Sequence, residues 1–91
     1  MQEYEVIFYD KADGTEPAKD FILSLDKKMR AKMLRTISLL ADNGPDLREP
    51  CSKPLGDGIF ELRAKVGYDI SRVLYFCIAG RRVIAYNAFI K

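Results

Sequence analysis

Histidine and tryptophan are absent from this 91-residue sequence. Without histidine there is no Ser–His or Cys–His nucleophile pair, and no ribonuclease site built on two histidines. No Cys/His cluster is available to hold zinc either. The two cysteines, Cys51 and Cys77, cannot build a disulfide framework; one falls in a loop and the other in a strand pattern, so both are expected as free thiols. Acidic residues are scattered without the spacing of a calcium loop. No GxGxxG stretch occurs, and no glycine-rich loop ends in Lys-Ser or Lys-Thr. No apolar run approaches the roughly 20 residues needed to span a bilayer. The opening residues read as a strand, not as a basic segment followed by an apolar one. The expectation is a cytoplasmic protein with no metal, no cofactor and no membrane partner. Any catalysis must use Arg, Lys, Tyr, Glu or Asp.

What is present suits one small domain over residues 1–91. A hydrophobic share of 48% is enough for a core, and 31% charged residues suit a soluble surface. The net charge of +2 hides an asymmetry. From Met1 to Ser52, 8 Lys and Arg face 10 Asp and Glu; from Lys53 to Lys91, 7 face 3. A basic C-terminal half can attract an anion such as RNA, or can simply be a solvated sheet edge.

Glu3 to Tyr9 is rich in aromatic and β-branched residues and predicts a first strand. Asp13-Gly14 marks a turn, Thr15 offers an N-cap, and Pro17 suits the first turn of a helix running to Ser24, with Phe21, Ile22 and Leu25 inward. Asp26 can cap a second helix. In it Met29, Met33, Ile37, Leu40 and Ala41 recur at helical spacing, with Leu34 beside them. Lys27, Lys28, Arg30, Lys32 and Arg35 fill much of the remainder, and Asn43-Gly44-Pro45 ends the helix. Residues 44–57, with their prolines and glycines, predict an irregular loop. Three strands follow, over Ile59–Lys65, Ile70–Ile78 and Val83–Ile90, the last two joined by a tight turn at Ala79-Gly80-Arg81. The order β-α-α-β-β-β is an α+β domain: a helical hairpin packed on a mostly antiparallel sheet.

The alternation of strand side chains puts Glu61, Arg63 and Lys65 on one face and Phe60, Leu62 and Ala64 on the other, the core side. In the next strand Arg72 shares a face with Ile70, Leu74 and Phe76, opposite Ser71, Val73, Tyr75 and Cys77. An arginine in an apolar strand is costly unless its guanidinium reaches water, a carboxylate or a phosphate. If the two strands pair through Val66-Gly67-Tyr68-Asp69, Arg63 and Arg72 lie close together. They would then need an anion between them. RNA phosphate fits a planar two-donor guanidinium, and structural ion pairs with Glu61 or Asp69 would also serve. Lys53 and Lys65 read as solvated lysines or as site groups, and Tyr86 as a packed aromatic, a proton-transfer group or a stacking platform.

Four stretches together resemble a known family: Lys53-Pro-Leu55, Gly58-Ile-Phe-Glu-Leu-Arg63, Ser71-Arg-Val-Leu-Tyr-Phe76, and Ala85-Tyr-Asn-Ala-Phe-Ile-Lys91. In this order and spacing they are similar to the phage-derived Gp49-like branch of HigB toxins, within the RelE/ParE superfamily. The branch has Tyr-Arg where this sequence has Ser71-Arg72. Its members continue past the last motif with further Lys, Thr, Gln and Pro residues, so a C-terminal basic part of the family's site is expected to be missing after Lys91.

The resemblance implies the toxin of a type II toxin–antitoxin pair. Such a toxin is held in a hetero-oligomer by a cognate antitoxin, and it enters the ribosome to cut mRNA without metal. By motif, Lys53, Arg63, Arg72 and Lys91 are the expected RNA-binding residues. Arg63 and Arg72 are expected to stabilise the scissile phosphate while its own 2′-OH attacks. Lys65 or Tyr86 would carry a proton, with Glu61 as an alternative base. The alternatives are a ParE-like gyrase poison, which shares the fold and does not cut RNA, and an inactive or binding-only remnant.

Overall fold

Alternate positions of the strands supply the core. Leu62, Ala64, Val73, Tyr75, Val83 and Ala85 are all buried, and they meet Ala18, Ile22, Leu25, Met29, Met33 and Leu40 from two helices. A computed structural model describes residues 3–90. It contains β1 (Glu5–Phe8), α1 (Pro17–Ser24), α2 (Lys27–Asn43), a short 3-10 turn (Gly44–Asp46), β2 (Ser52–Gly56), β3 (Ile59–Val66), β4 (Asp69–Ile78) and β5 (Arg82–Ile90). The five strands form one sheet in the order β1-β5-β4-β3-β2, with β1 parallel to β5 and every other pair antiparallel. Both helices cover one face. This is the expected α+β arrangement with one strand more. No helix of the described residues is long and apolar enough to cross a membrane.

The additional strand is β2, inside the stretch read as loop. It lies at the sheet edge, where Pro54 lacks only a hydrogen bond that no neighbour would have received. Asp57 and Gly58, both at positive φ, make its two-residue turn into β3. The cap of α1 also differs from expectation. Thr15 does not cap the helix: its hydroxyl donates to Asp13 at 2.7 Å, Glu16 occupies the cap position without a side-chain bond, and the Glu16 backbone N–H donates to Asp20. The cap of α2 is as expected, with the Asp26 carboxylate accepting from the Met29 N–H at 2.9 Å.

Along α2, Met29, Met33, Leu40 and Ala41 are buried, Ile37 is half-buried and Leu34 is exposed. Thr36 takes the inward place beside them, its hydroxyl donating to the Lys32 carbonyl. Gly44 closes the helix at φ 56° and ψ −131°, with the Tyr4 ring against the position a Cβ would occupy. Cys51 and Cys77 are free.

Candidate active site

The uncovered face of the sheet carries the polar constellation. Because β3 and β4 are antiparallel, residues opposite one another share a face. Arg63 stands opposite Arg72, Glu61 opposite Leu74 and Lys65 opposite Ile70. On the outer side Lys53 of β2 stands opposite Glu61. On the inner side Phe89 of β5 stands opposite Arg72, and Asn87 opposite Leu74.

Both arginines converge on one carboxylate oxygen. Arg63 Nε donates to Glu61 Oε1 at 2.7 Å and Arg72 Nε donates to the same atom at 3.1 Å. The Glu61 side chain is 10% exposed, that of Arg72 13% and that of Arg63 29%. This is a half-sequestered cluster with two positive charges for one negative. Arg72 Nη1 is buried without a hydrogen-bond partner, an uncommon state for a guanidinium. Burial works against ionising Glu61, but hydrogen bonds from Arg63 and Arg72, and then their charges, outweigh it and hold its carboxyl below the usual range. Of the two acids considered for the arginines, it is Glu61 and not Asp69 that pairs with them.

The remaining candidates lie around this cluster at different distances. Lys53 is exposed one strand away, and Lys65 is exposed two residues further along β3; among the described residues neither enters an ion pair. Tyr86 is not brought to the arginines. It packs on Phe76, with ring centroids 5.7 Å apart, and Phe76 lies four residues along β4 from Arg72, roughly 13 Å at the ordinary strand rise. Lys91 lies outside the described residues.

Phe89, by contrast, was not singled out from the sequence. A bulge between Leu74 and Tyr75 sets Tyr86 and Asn87 against a single step of β4. Beyond it the side chains of β5 change faces: Ala88 joins the core and Phe89, 37% exposed, stands beside Arg72 on the open face. Strict alternation from the buried Val83 and Ala85 would have placed Phe89 in the core. The half-buried Leu74 and Phe76 continue this open face.

On the helix-covered side the Tyr75 hydroxyl is hydrogen-bonded to Ser52, and burial raises its pKa despite that bond. Burial likewise raises that of the Cys77 thiol, so neither is poised to react at neutral pH.

No curated protein sequence matches the chain. The family model described as phage-derived protein Gp49-like does match, over residues 20–91, which takes in the second helix, the four C-terminal strands and the whole arginine–carboxylate cluster. The chain belongs to this Gp49-like family, a family of RelE/HigB-like toxins.

Proposed function

We propose that the protein is the toxin of a type II toxin–antitoxin pair and acts in the cytoplasm as a ribosome-dependent mRNA endoribonuclease. The observation that supports this reading best is the pair of facing arginines on the sheet face that the helices leave uncovered, two positive charges sharing one carboxylate. Family membership supports the toxin assignment.

RNA carries its own nucleophile. The 2′-oxygen attacks the adjacent phosphorus, the bond to O5′ breaks, and a 2′,3′-cyclic phosphate and a 5′-hydroxyl result. The protein has to align the strand, stabilise the added charge on the phosphoryl oxygens, and see one proton leave O2′ and another reach O5′. Arg72 and Arg63 supply the charge stabilisation; Arg72 Nη1, buried without a partner, becomes a donor to a phosphate oxygen once the side chains around it turn toward the RNA. Lys53 holds the strand at the outer edge. Phe89, beside Arg72, offers a face on which a base can stack.

Lys65, two residues along β3 from Arg63 and outside any ion pair among the described residues, is assigned the proton transfer. The distance of Tyr86 argues against that role for it. Glu61 is held ionised and can accept a proton only after the arginines turn from it to the phosphate. This sparse acid–base equipment is why the ribosome is assigned the task of orienting the substrate.

The cognate antitoxin is assigned to the open face around Leu74 and Phe76, where it would cover the arginines. Adding the purified protein to a translation system programmed with a defined mRNA tests the enzyme assignment. Cleavage within codons that requires ribosomes is the expected result. Intact mRNA together with trapped gyrase–DNA breaks in cells would replace this reading with the ParE-like one.

A further inference from the structure

Beyond its Asp26 cap, helix α2 carries its charges against its own dipole. Lys27, Lys28, Arg30, Lys32 and Arg35 crowd its first nine residues, its first turn holds no acid, and its last turn holds Asp42 and no cation. Cations near a helix N-terminus and an anion near its C-terminus are both unfavourable, and Lys28 and Lys32 repel one another at i, i+4. A sequence that breaks a local rule this consistently points to a role for the charges other than stability.

The surroundings of those charges suggest the role. Lys28, Lys32 and Arg35 recur at i, i+4 and i+7, so they form one stripe along roughly 10 Å of helix. The stripe faces the end of β3 that β2 leaves unpaired. There, Lys28, Lys32, Arg35, Lys65 and Gly67 line a hollow of about 390 Å³. A second hollow of about 260 Å³ shares Lys32 and Lys65 with the first and reaches Arg63. No acidic residue lines either one. Among the described residues, Lys28, Lys32, Arg35 and Lys65 enter no ion pair. Together the two adjoining hollows are lined by five cations, the second ending at an arginine of the candidate active site.

We infer that this cleft is a track for the phosphate backbone of the RNA flanking the scissile position. The stripe is long enough to face more than one phosphate, and flexible lysines suit a backbone whose sequence is not read. The inference rests on the ribonuclease reading, and it adds a binding site remote from the bond that is cut.

The test uses the full chain and a single-stranded RNA oligonucleotide with 2′-O-methyl groups throughout, which cannot cleave itself. Its affinity is measured by fluorescence anisotropy over a salt series. For single strands the logarithm of the affinity falls by about 0.7 per phosphate neutralised for each decade of salt. The variant Lys28→Gln/Lys32→Gln/Arg35→Gln is expected to have a slope shallower by about 2. It is also expected to bind at least tenfold more weakly at low salt and to melt no lower than the parent. A variant of equal charge change outside the cleft, Lys11→Gln/Lys19→Gln/Arg82→Gln, separates the cleft from net charge and is expected to keep most of the slope.

Equal slopes in the parent and the cleft variant, or equal losses in both triple variants, would overturn the inference. If Arg72→Ala alone then weakened binding, the ribonuclease reading would survive that loss. A parent protein that did not bind the oligonucleotide at all would overturn the inference, while the ribosome-dependent ribonuclease reading stands or falls on cleavage in the translation system.

Discussion

Replacing Glu61 with Gln removes one charge from between two guanidiniums and changes little else in shape. Arg63 and Arg72 stand opposite each other on neighbouring strands, and Glu61 Oε1 accepts from both, at 2.7 and 3.1 Å. Stripping one partner from a fully buried pair costs about 3–5 kcal/mol. Gln keeps an acceptor oxygen, and the arginine side chains remain 29% and 13% exposed, so water screens part of their repulsion. The expected loss is about 2 kcal/mol. For a domain of this size that lowers the melting temperature by roughly 8–16 °C.

Thermal unfolding followed by circular dichroism reads the loss directly. Two further readouts show whether it arises at this site. Sulfate, compared with chloride at equal ionic strength, is expected to recover more stability in Glu61→Gln than in the parent, because two guanidiniums no longer neutralised by a carboxylate attract a divalent anion. Acidification is expected to narrow the gap between the two proteins. The carboxyl of Glu61 is held below its unfolded value, so its contribution is complete above the ordinary glutamate range and drains away as the pH falls through the folded value. A stability within about 0.5 kcal/mol of the parent's, or equal responses to sulfate, would refute the picture of an anion site occupied by Glu61.

Three other substitutions probe the frame of the site. Tyr75→Phe leaves the buried Ser52 hydroxyl without its partner and is expected to cost about 1–3 kcal/mol in chemical denaturation, loosening the attachment of β2. Gly44→Ala forces a Cβ onto the Tyr4 ring at a backbone conformation that L residues rarely adopt. A loss of at least ~2 kcal/mol is expected, measured the same way. Phe89→Ala is expected to weaken binding of the uncleavable RNA by about 1–3 kcal/mol with little change in melting temperature, as removal of a stacking surface does. An unchanged affinity would take Phe89 out of the site.

The helices and the three long strands were readable because their apolar periods are long. Met29, Met33 and Leu40 mark one stripe, and Leu62, Ala64, Val73 and Tyr75 mark one sheet face. The same alternation puts Glu61, Arg63 and Arg72 on the opposite face from sequence alone. Three features were hidden for distinct physical reasons.

Strand β2 is short and edge-placed and contains Pro54, so its pattern matches that of a loop; Asp57-Gly58 was the one usable signal, as a hairpin dipeptide. The bulge in β5 shifts side-chain parity by one, and nothing local in Tyr86-Asn87 reports it, so Phe89 was missed. The basic cleft depends on α2 lying alongside the free edge of β3, a tertiary relation that the lysine spacing alone does not encode. Tyr86 shows the converse: a plausible residue type on the expected strand, placed against Phe76 and away from the arginines.

The central claim is that Arg72 serves an RNA-cleaving site. It is tested most directly by primer extension on a reporter mRNA from cells briefly expressing this chain, beside cells expressing Arg72→Ala at the same level. New 5′ ends within translated codons, present with the parent and absent with the variant, are the expected result. The same ends at the same intensity with Arg72→Ala, or growth arrest with every transcript intact, would contradict it.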